Sequence, residues 1–244
     1  MAGHSKWKNI AHRKGRQDAS RGQVFTRLCR DVYVAAKRGG ANPDVNYALK
    51  IALDKARVGS VPNDTLQRTI DKAMGSVAGV VYEEFIYEGY GPGGFAVMLE
   101  LSSDNRNRTA AEIRHLFAKH GGNLGETGCV AWMFARKGMV SVPKNGAPLS
   151  ADDLTMTALE AGADDVEETD EELQFYTEPD AIGELEGGLR AAGVEFSGNG
   201  VTYIPSVMVQ VSEDEEERAS TMLALLEEHD DVQSVYTNAE FAES

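Results

Sequence analysis

The first 38 residues constrain this 244-residue chain more than any other stretch. They carry ten basic side chains: Lys6, Lys8, Arg13, Lys14, Arg16, Arg21, Arg27, Arg30, Lys37 and Arg38. Only Asp18 and Asp31 oppose them, so the stretch is +8 in a chain of net −15, and the other 206 residues hold −23. Trp7 and Ile10 are the only large apolar residues between Met1 and Val24, too few for one face of a core. Such a segment is expected to stay mobile until a partner orders it. Lys and Arg with one aromatic match a polyanion binder, because each neutralised phosphate releases counterions. The plainer alternative is a solvated basic tail. No apolar run follows the charges, so a secretory signal is excluded, and a transit peptide fits the Arg content but not the shortage of large apolar residues.

From Gln23 to Arg38, Phe25, Leu28, Cys29, Val32, Ala35 and Ala36 recur at helical spacing on one face. That placement projects Arg27, Arg30, Lys37 and Arg38 from the opposite face, and Gly39-Gly40 ends the helix. A second helix is expected from Pro43 with Asn42 as its cap, burying Val45, Ala48, Leu49, Ala52, Leu53 and Ala56. A third is expected from Pro62, burying Leu66, Ile70 and Met74. A three-helix domain over residues 1–78 follows, and the charge shifts at its end: residues 1–75 are +9 and residues 76–244 are −24.

Beyond that boundary the period becomes two. Tyr82–Tyr90 and Phe95–Leu101 read as strands joined by Gly91-Pro92-Gly93-Gly94, where Pro at i+1 and Gly at i+2 specify a type II turn. Gly89, Gly91 and Gly94 spell GxGxxG, but Pro92 removes a donor and a strand follows where a phosphate-binding helix should start. A helix then runs to His120, with Thr109 and Glu112 as its capping box. Arg106 and Arg108 at its start oppose the helix dipole. Two accounts of them stand level: a second phosphate contact, or pairing with Asp104 or other carboxylates of an acidic body. Cys129–Phe134 reads as a strand. Residues 137–205 follow the β-α-β-β-α-β order of a ferredoxin-like unit. No Lys or Arg lies between Asn145 and Leu189, where 14 acids do; these form a solvated face or a docking surface for a basic protein. Strand Val207–Val211, a helix over Glu213–His229 and strand Val232–Tyr236 would rejoin the first hairpin's sheet. The fold expected is therefore α+β: the helical domain (1–78), a middle α/β domain (79–136 and 206–240) and an inserted ferredoxin-like domain (137–205).

No catalytic set holds together. His4 and His12 sit in the basic arm, and His115 and His120 share no helix face well. GxSxG, P-loop, HExxH and calcium-loop patterns do not occur. Cys29 and Cys129 match no metal or redox spacing. No run approaches the ~18 apolar residues of a membrane span. No enzyme activity, cofactor, metal or small-molecule substrate is expected.

MAGHSKW at the start, Tyr87–Gly94 (YEGYGPGG), Asp104–Thr109 (DNRNRT) and Asp230–Asn238 (DDVQSVYTN) together resemble the YebC family along essentially the full length. Departures are small: Ser102-Ser103 precede DNRNRT where Thr-type residues are frequent, and Val61-Pro62 stand where Met-Pro is common. The resemblance implies three domains and a cytoplasmic, non-enzymatic regulator of gene expression. Members are described as DNA-binding transcriptional regulators; others, including a mitochondrial translational activator of cytochrome c oxidase synthesis, act on ribosomes, and some bacterial relatives help ribosomes through proline-rich stretches. A ribosome-associated factor touching ribosomal RNA, with basic ribosomal proteins as further partners, is favoured over a DNA-binding transcriptional regulator. The first helix shows no Asn or Gln beside its cations to read adenine, and a −24 body is repelled by a long duplex. The candidate contacts are the ten basic residues of the opening stretch with Arg106 and Arg108.

Overall fold

The computed structural model describes residues 21–75, 82–145 and 147–241. Lys6, Lys8, Arg13, Lys14 and Arg16, with Trp7 and the expected domain end near residue 78, lie outside them. Helix α1 spans Arg21–Gly39, α2 Tyr47–Val58 and α3 Asn63–Ala73. Their shared core is Val32, Ala36, Leu49, Leu53, Ala56, Leu66 and Ile70. Helix α2 begins later than expected because Asn46, not Asn42, caps it: its side chain accepts from Leu49 N at 3.1 Å. The same Asn46 amide donates to Ala35 O and Gly40 O, both at 2.8 Å, which binds the α1–α2 turn to α1. Val45 therefore lies before the helix and is 80% exposed, and Met74, also expected inside, is 41% exposed.

Strands β1 (Glu83–Tyr90) and β2 (Ala96–Ser103) form the expected antiparallel hairpin. Gly93 takes φ 77°, ψ 0°, the left-handed i+2 position of a type II turn, and Gly94 N donates to Gly91 O at 3.0 Å. Helix α4 spans Arg106–Lys119, β3 Asn123–Leu124, β8 Val209–Gln210, α7 Glu213–Glu228, β9 Val232–Thr237 and β10 Ala239–Glu240. The sheet order is β3-β1-β2-β9. One face of this sheet packs Phe95, Val97, Leu99 and Leu101 against Ile113 and Phe117 of α4 and Met222, Leu223 and Leu226 of α7. Alternate residues of β1 and β2 point to the other face. There Glu84 and Glu100 meet Asp31 of α1.

Two expectations fail here. Val207–Val211 does not rejoin the sheet: β8 pairs in parallel with β10, and Val207 is 65% exposed. Cys129–Phe134 is not a strand. The buried Glu88 carboxylate accepts from Gly128 N (2.7 Å), Val130 N (2.8 Å) and Ala131 N (2.8 Å), turning that backbone into a loop. An inward carboxylate on β1 thus does work that the local sequence of 129–134 does not announce.

Phe134–Ser206 forms a separate compact unit. It contains β4 (Phe134–Pro143), α5 (Ala151–Glu160), β5 (Asp165–Glu168), β6 (Glu172–Thr177), α6 (Ile182–Ala191) and β7 (Gly198–Pro205). The strand order β5-β6-β4-β7, antiparallel throughout, is the ferredoxin-like arrangement read from the element order. Its core is Val140, Val142, Leu154, Phe175, Leu185 and Leu189. Helices α1–α3 belong to the other unit with β1–β3 and residues 207–241.

Candidate nucleic-acid interface

Helix α1 was expected to project Arg27 and Arg30 outwards; it does not. The apolar stripe packs on α2 and α3, and the face opposite lies on the sheet rather than in solvent. Arg30 is 8% exposed, with Nη1 3.1 Å from Asp231 Oδ1 and 3.1 Å from Ser102 O, and it also donates to Asp230 O. Its guanidinium stands over the Tyr82 ring at 4.9 Å. Arg27 donates to Glu227 O and, at 2.9 Å, to His229 O. These carbonyls close α7, whose last turn has no intrahelical donors for them. Two cations at a helix C-terminus also oppose its negative dipole end favourably. Arg27 and Arg30 are thus spent on tying the first helix of the described chain to the last.

Asp231 is the centre of this arrangement. Its Oδ2 accepts from Thr109 Oγ1 (2.6 Å), Arg108 Nη2 (2.8 Å) and Ser103 Oγ (3.0 Å). Burial pushes its carboxyl up, but the bonds from Thr109, Arg108 and Ser103, with the charge of Arg30, prevail and hold it below the usual range. This also explains a misread cap. Asn105 caps α4, accepting from Arg108 N at 3.1 Å, so Thr109 sits inside the helix and its hydroxyl is free to bind Asp231. Arg108 pairs further with Asp104 at 3.2 Å, and Arg106 stacks over Phe85 at 4.9 Å. Of the two accounts of this pair, internal carboxylates engage Arg108, while Arg106 remains exposed.

A cavity of about 410 Å³ opens beside this network. Asp104, Glu112, Glu228, Asp230 and Asp231 line it against Arg30, Arg108 and His229, a balance that repels phosphate. Glu112, His229 and Asp231 bring ligand-type atoms within 4.8 Å of one another. Their hydrogen bonds argue against a metal. Asp231 N donates to His229 Nδ1 at 3.1 Å, which leaves the proton on Nε2, aimed at Glu112 Oε2 3.0 Å away. Neither ring nitrogen then offers a free lone pair, and two guanidinium groups already hold Asp231.

Among the other expected contacts, Arg21 opens α1, Arg38 pairs with Glu84, and Lys37 is exposed with no ion pair among the described residues. Sequence reasoning missed Glu88 and Asp231 and gave Thr109 a capping role instead of its bond to Asp231. The DNRNRT and DDV motifs flagged the last two segments without saying that they meet.

Residues 5–76 match the family described as TACO1/YebC protein N-terminal domain, and residues 82–239 match TACO1/YebC second and third domain. The chain belongs to the TACO1/YebC family. A probable transcriptional regulatory protein of Pelotomaculum thermopropionicum is 50% identical over 98% of this chain and 99% of its own length. One of Halothermothrix orenii, with the same description, is 48% identical over 98% and 94%. The crystal structure of a conserved hypothetical protein from Aquifex aeolicus is 42% identical, with TM-score 0.86 over 93% of each chain. In this TACO1/YebC chain no described helix is long and apolar enough to cross a membrane.

Proposed function

We propose that this protein is a non-enzymatic regulator of gene expression that binds nucleic acid through its basic N-terminal segment, with RNA on the ribosome as its target in the cytoplasm. The relatives' names support a regulatory role rather than an enzymatic one. The observation that carries the reading is the charge division: +9 over residues 1–75 against −24 over residues 76–244. Lys6, Lys8, Arg13, Lys14, Arg16, Arg21 and Lys37 are the proposed phosphate contacts, and Arg106 is a peripheral one. The acidic remainder avoids nucleic acid and faces solvent or basic ribosomal proteins.

A second reading, DNA-binding transcriptional regulator, is favoured by the names of the relatives. Groove recognition needs a helix with a free face. With Arg27 and Arg30 turned inward, α1 has little polar face left for that task. The test is sedimentation of extract through sucrose. Co-migration with ribosomal particles at low salt, lost at high salt and lost on deleting residues 1–20, is the expected result. A protein that stays at the top of the gradient while retarding duplex DNA overturns the ribosomal reading in favour of the second.

A further inference from the structure

Large apolar side chains that reach solvent singly need no explanation. Helix α5 is different. Met156 is 57% exposed and Leu159 45%, and a spacing of three puts them on one face. Among the described residues no other helix leaves two large apolar side chains uncovered one turn apart. The opposite face of α5 sends Leu154 and Ala158 into the core of the Phe134–Ser206 unit, so the helix is packed on one side and apolar on the other.

The surrounding charge selects what can cover this face. Asp152 and Asp153 stand one turn before Met156 and Glu160 one turn after it, and α5 carries no Lys or Arg. Asp153 accepts from Ser150 Oγ at 2.7 Å and so closes the helix start. Asp152 and Glu160 form no ion pair among the described residues. Residues 134–206 hold fifteen acidic side chains against four basic ones, a net of −11. Three of the four are engaged within the unit: Lys137 with Asp164 and Glu178, Lys144 with Glu168, and Arg190 with Glu186. A negative field of this size turns away nucleic acid, anionic lipid and a second copy of the same face. Helix α6 lies beside α5, with Gly188 so close to Ala161 that a Cβ there would stand 2.3 Å from the alanine's own. Its exposed Gly183 and Gly187 have open space where a Cβ would be, so no side chain of theirs obstructs a partner.

We propose that this face of α5 docks a basic amphipathic segment of a partner protein. The segment sets apolar side chains on Met156 and Leu159 and Lys or Arg against Asp152 and Glu160, the helix-docking mode in which apolar anchors recur at three and four. Met suits the task, because its unbranched thioether chain adapts to differing partners. The docking is independent of RNA contact by the N-terminal segment. It gives the acidic remainder a protein partner where the reading above left it solvent or basic ribosomal proteins.

The experiment measures fluorescence anisotropy of a labelled synthetic peptide of Leu and Lys, with the Leu residues spaced to form one helical face, titrated with the full chain. A peptide of equal composition with its Leu residues scattered around the helix is the control. The amphipathic peptide is expected to bind, and the control to bind about tenfold more weakly. M156Q/L159Q is expected to lose about tenfold or more in affinity for the amphipathic peptide, while V207Q, which alters an exposed apolar residue outside the unit, matches the unaltered chain. D152N/E160Q, which spares the Asp153 cap, is expected to weaken binding and flatten its dependence on salt. Equal binding of the two peptides, or unaltered affinity in M156Q/L159Q, overturns the proposal, because charge alone then suffices. Failure of the unaltered chain to bind the amphipathic peptide overturns it as well. Sedimentation equilibrium of the protein alone supplies a further check: a dimer that M156Q/L159Q dissolves assigns the face to a second copy and overturns the basic partner. No RNA is present, so none of these results bears on the N-terminal contact. Thermal melting checks folding, and D152N/E160Q carries the test if M156Q/L159Q unfolds.

Discussion

Arg30, in the first described helix, and Asp231, just before β9, meet at 3.1 Å with side chains 8% and 2% exposed. A buried ion pair need not add net stability over an apolar pair of the same shape. Breaking one half of it is costly, because the other charge stays buried. Here the second half also loses Ser103, Arg108 and Thr109, which converge on the same carboxylate.

R30A and D231A are each expected to lower unfolding free energy by about 3–5 kcal/mol. The double variant should lose less than their sum, with a coupling of about 1–3 kcal/mol. Urea denaturation of all four proteins measures this. Simple additivity would show that the two residues act independently.

Asp31 faces the sheet from the same helix. Burial pushes its carboxyl up to about 6; Glu84 and Glu100 add to this, while Lys55 and Arg30 oppose it. The folded state therefore holds the proton more tightly than the unfolded chain, whose ordinary value is 3.8. The contribution of Asp31 to stability therefore falls as pH rises from about 4 to about 6 and is constant above. D31N removes the penalty. It should be more stable than the unaltered protein at neutral pH by up to about 3 kcal/mol, the gain fading towards the acid end of that window. Melting curves across pH decide it; a D31N protein of equal or lower stability at neutral pH contradicts the account.

Glu88 holds the loop after β3 by three backbone N–H groups. That loop displays Trp132, which is 73% exposed and donates from Nε1 to Cys129 O at 3.1 Å. Removing the carboxylate strands three donors, each worth about 1 kcal/mol or more. E88A should therefore speed hydrogen exchange at the amides of Gly128, Val130 and Ala131 by orders of magnitude, with much less change in α4. Retained protection at these three amides would mean that the loop is held by something else.

What could be read from sequence was local. The turn at Gly91–Gly94 was legible because Pro and a left-handed Gly in fixed positions admit few geometries. The ferredoxin-like order was legible because each element carries its own period. Caps were less so: Asn42 and Asn46, or Asn105 and Thr109, offer equivalent chemistry, and neighbours decide between them. Asn46 wins because its amide also satisfies Ala35 O and Gly40 O. Thr109 is claimed by Asp231.

The amino-acid order alone determined the charge division, the helical and strand periods and the membership of elements in two kinds of packing. Those depend on spacing and composition within a few turns. Which cations reach solvent was decided only by the tertiary structure. A helical wheel assigns Arg30 to the face away from the apolar stripe, and it cannot know that a sheet bearing Glu84 and Glu100 and the end of α7 cover that face. Burial of a charge depends on a partner from the far end of the chain, and no local period encodes that meeting.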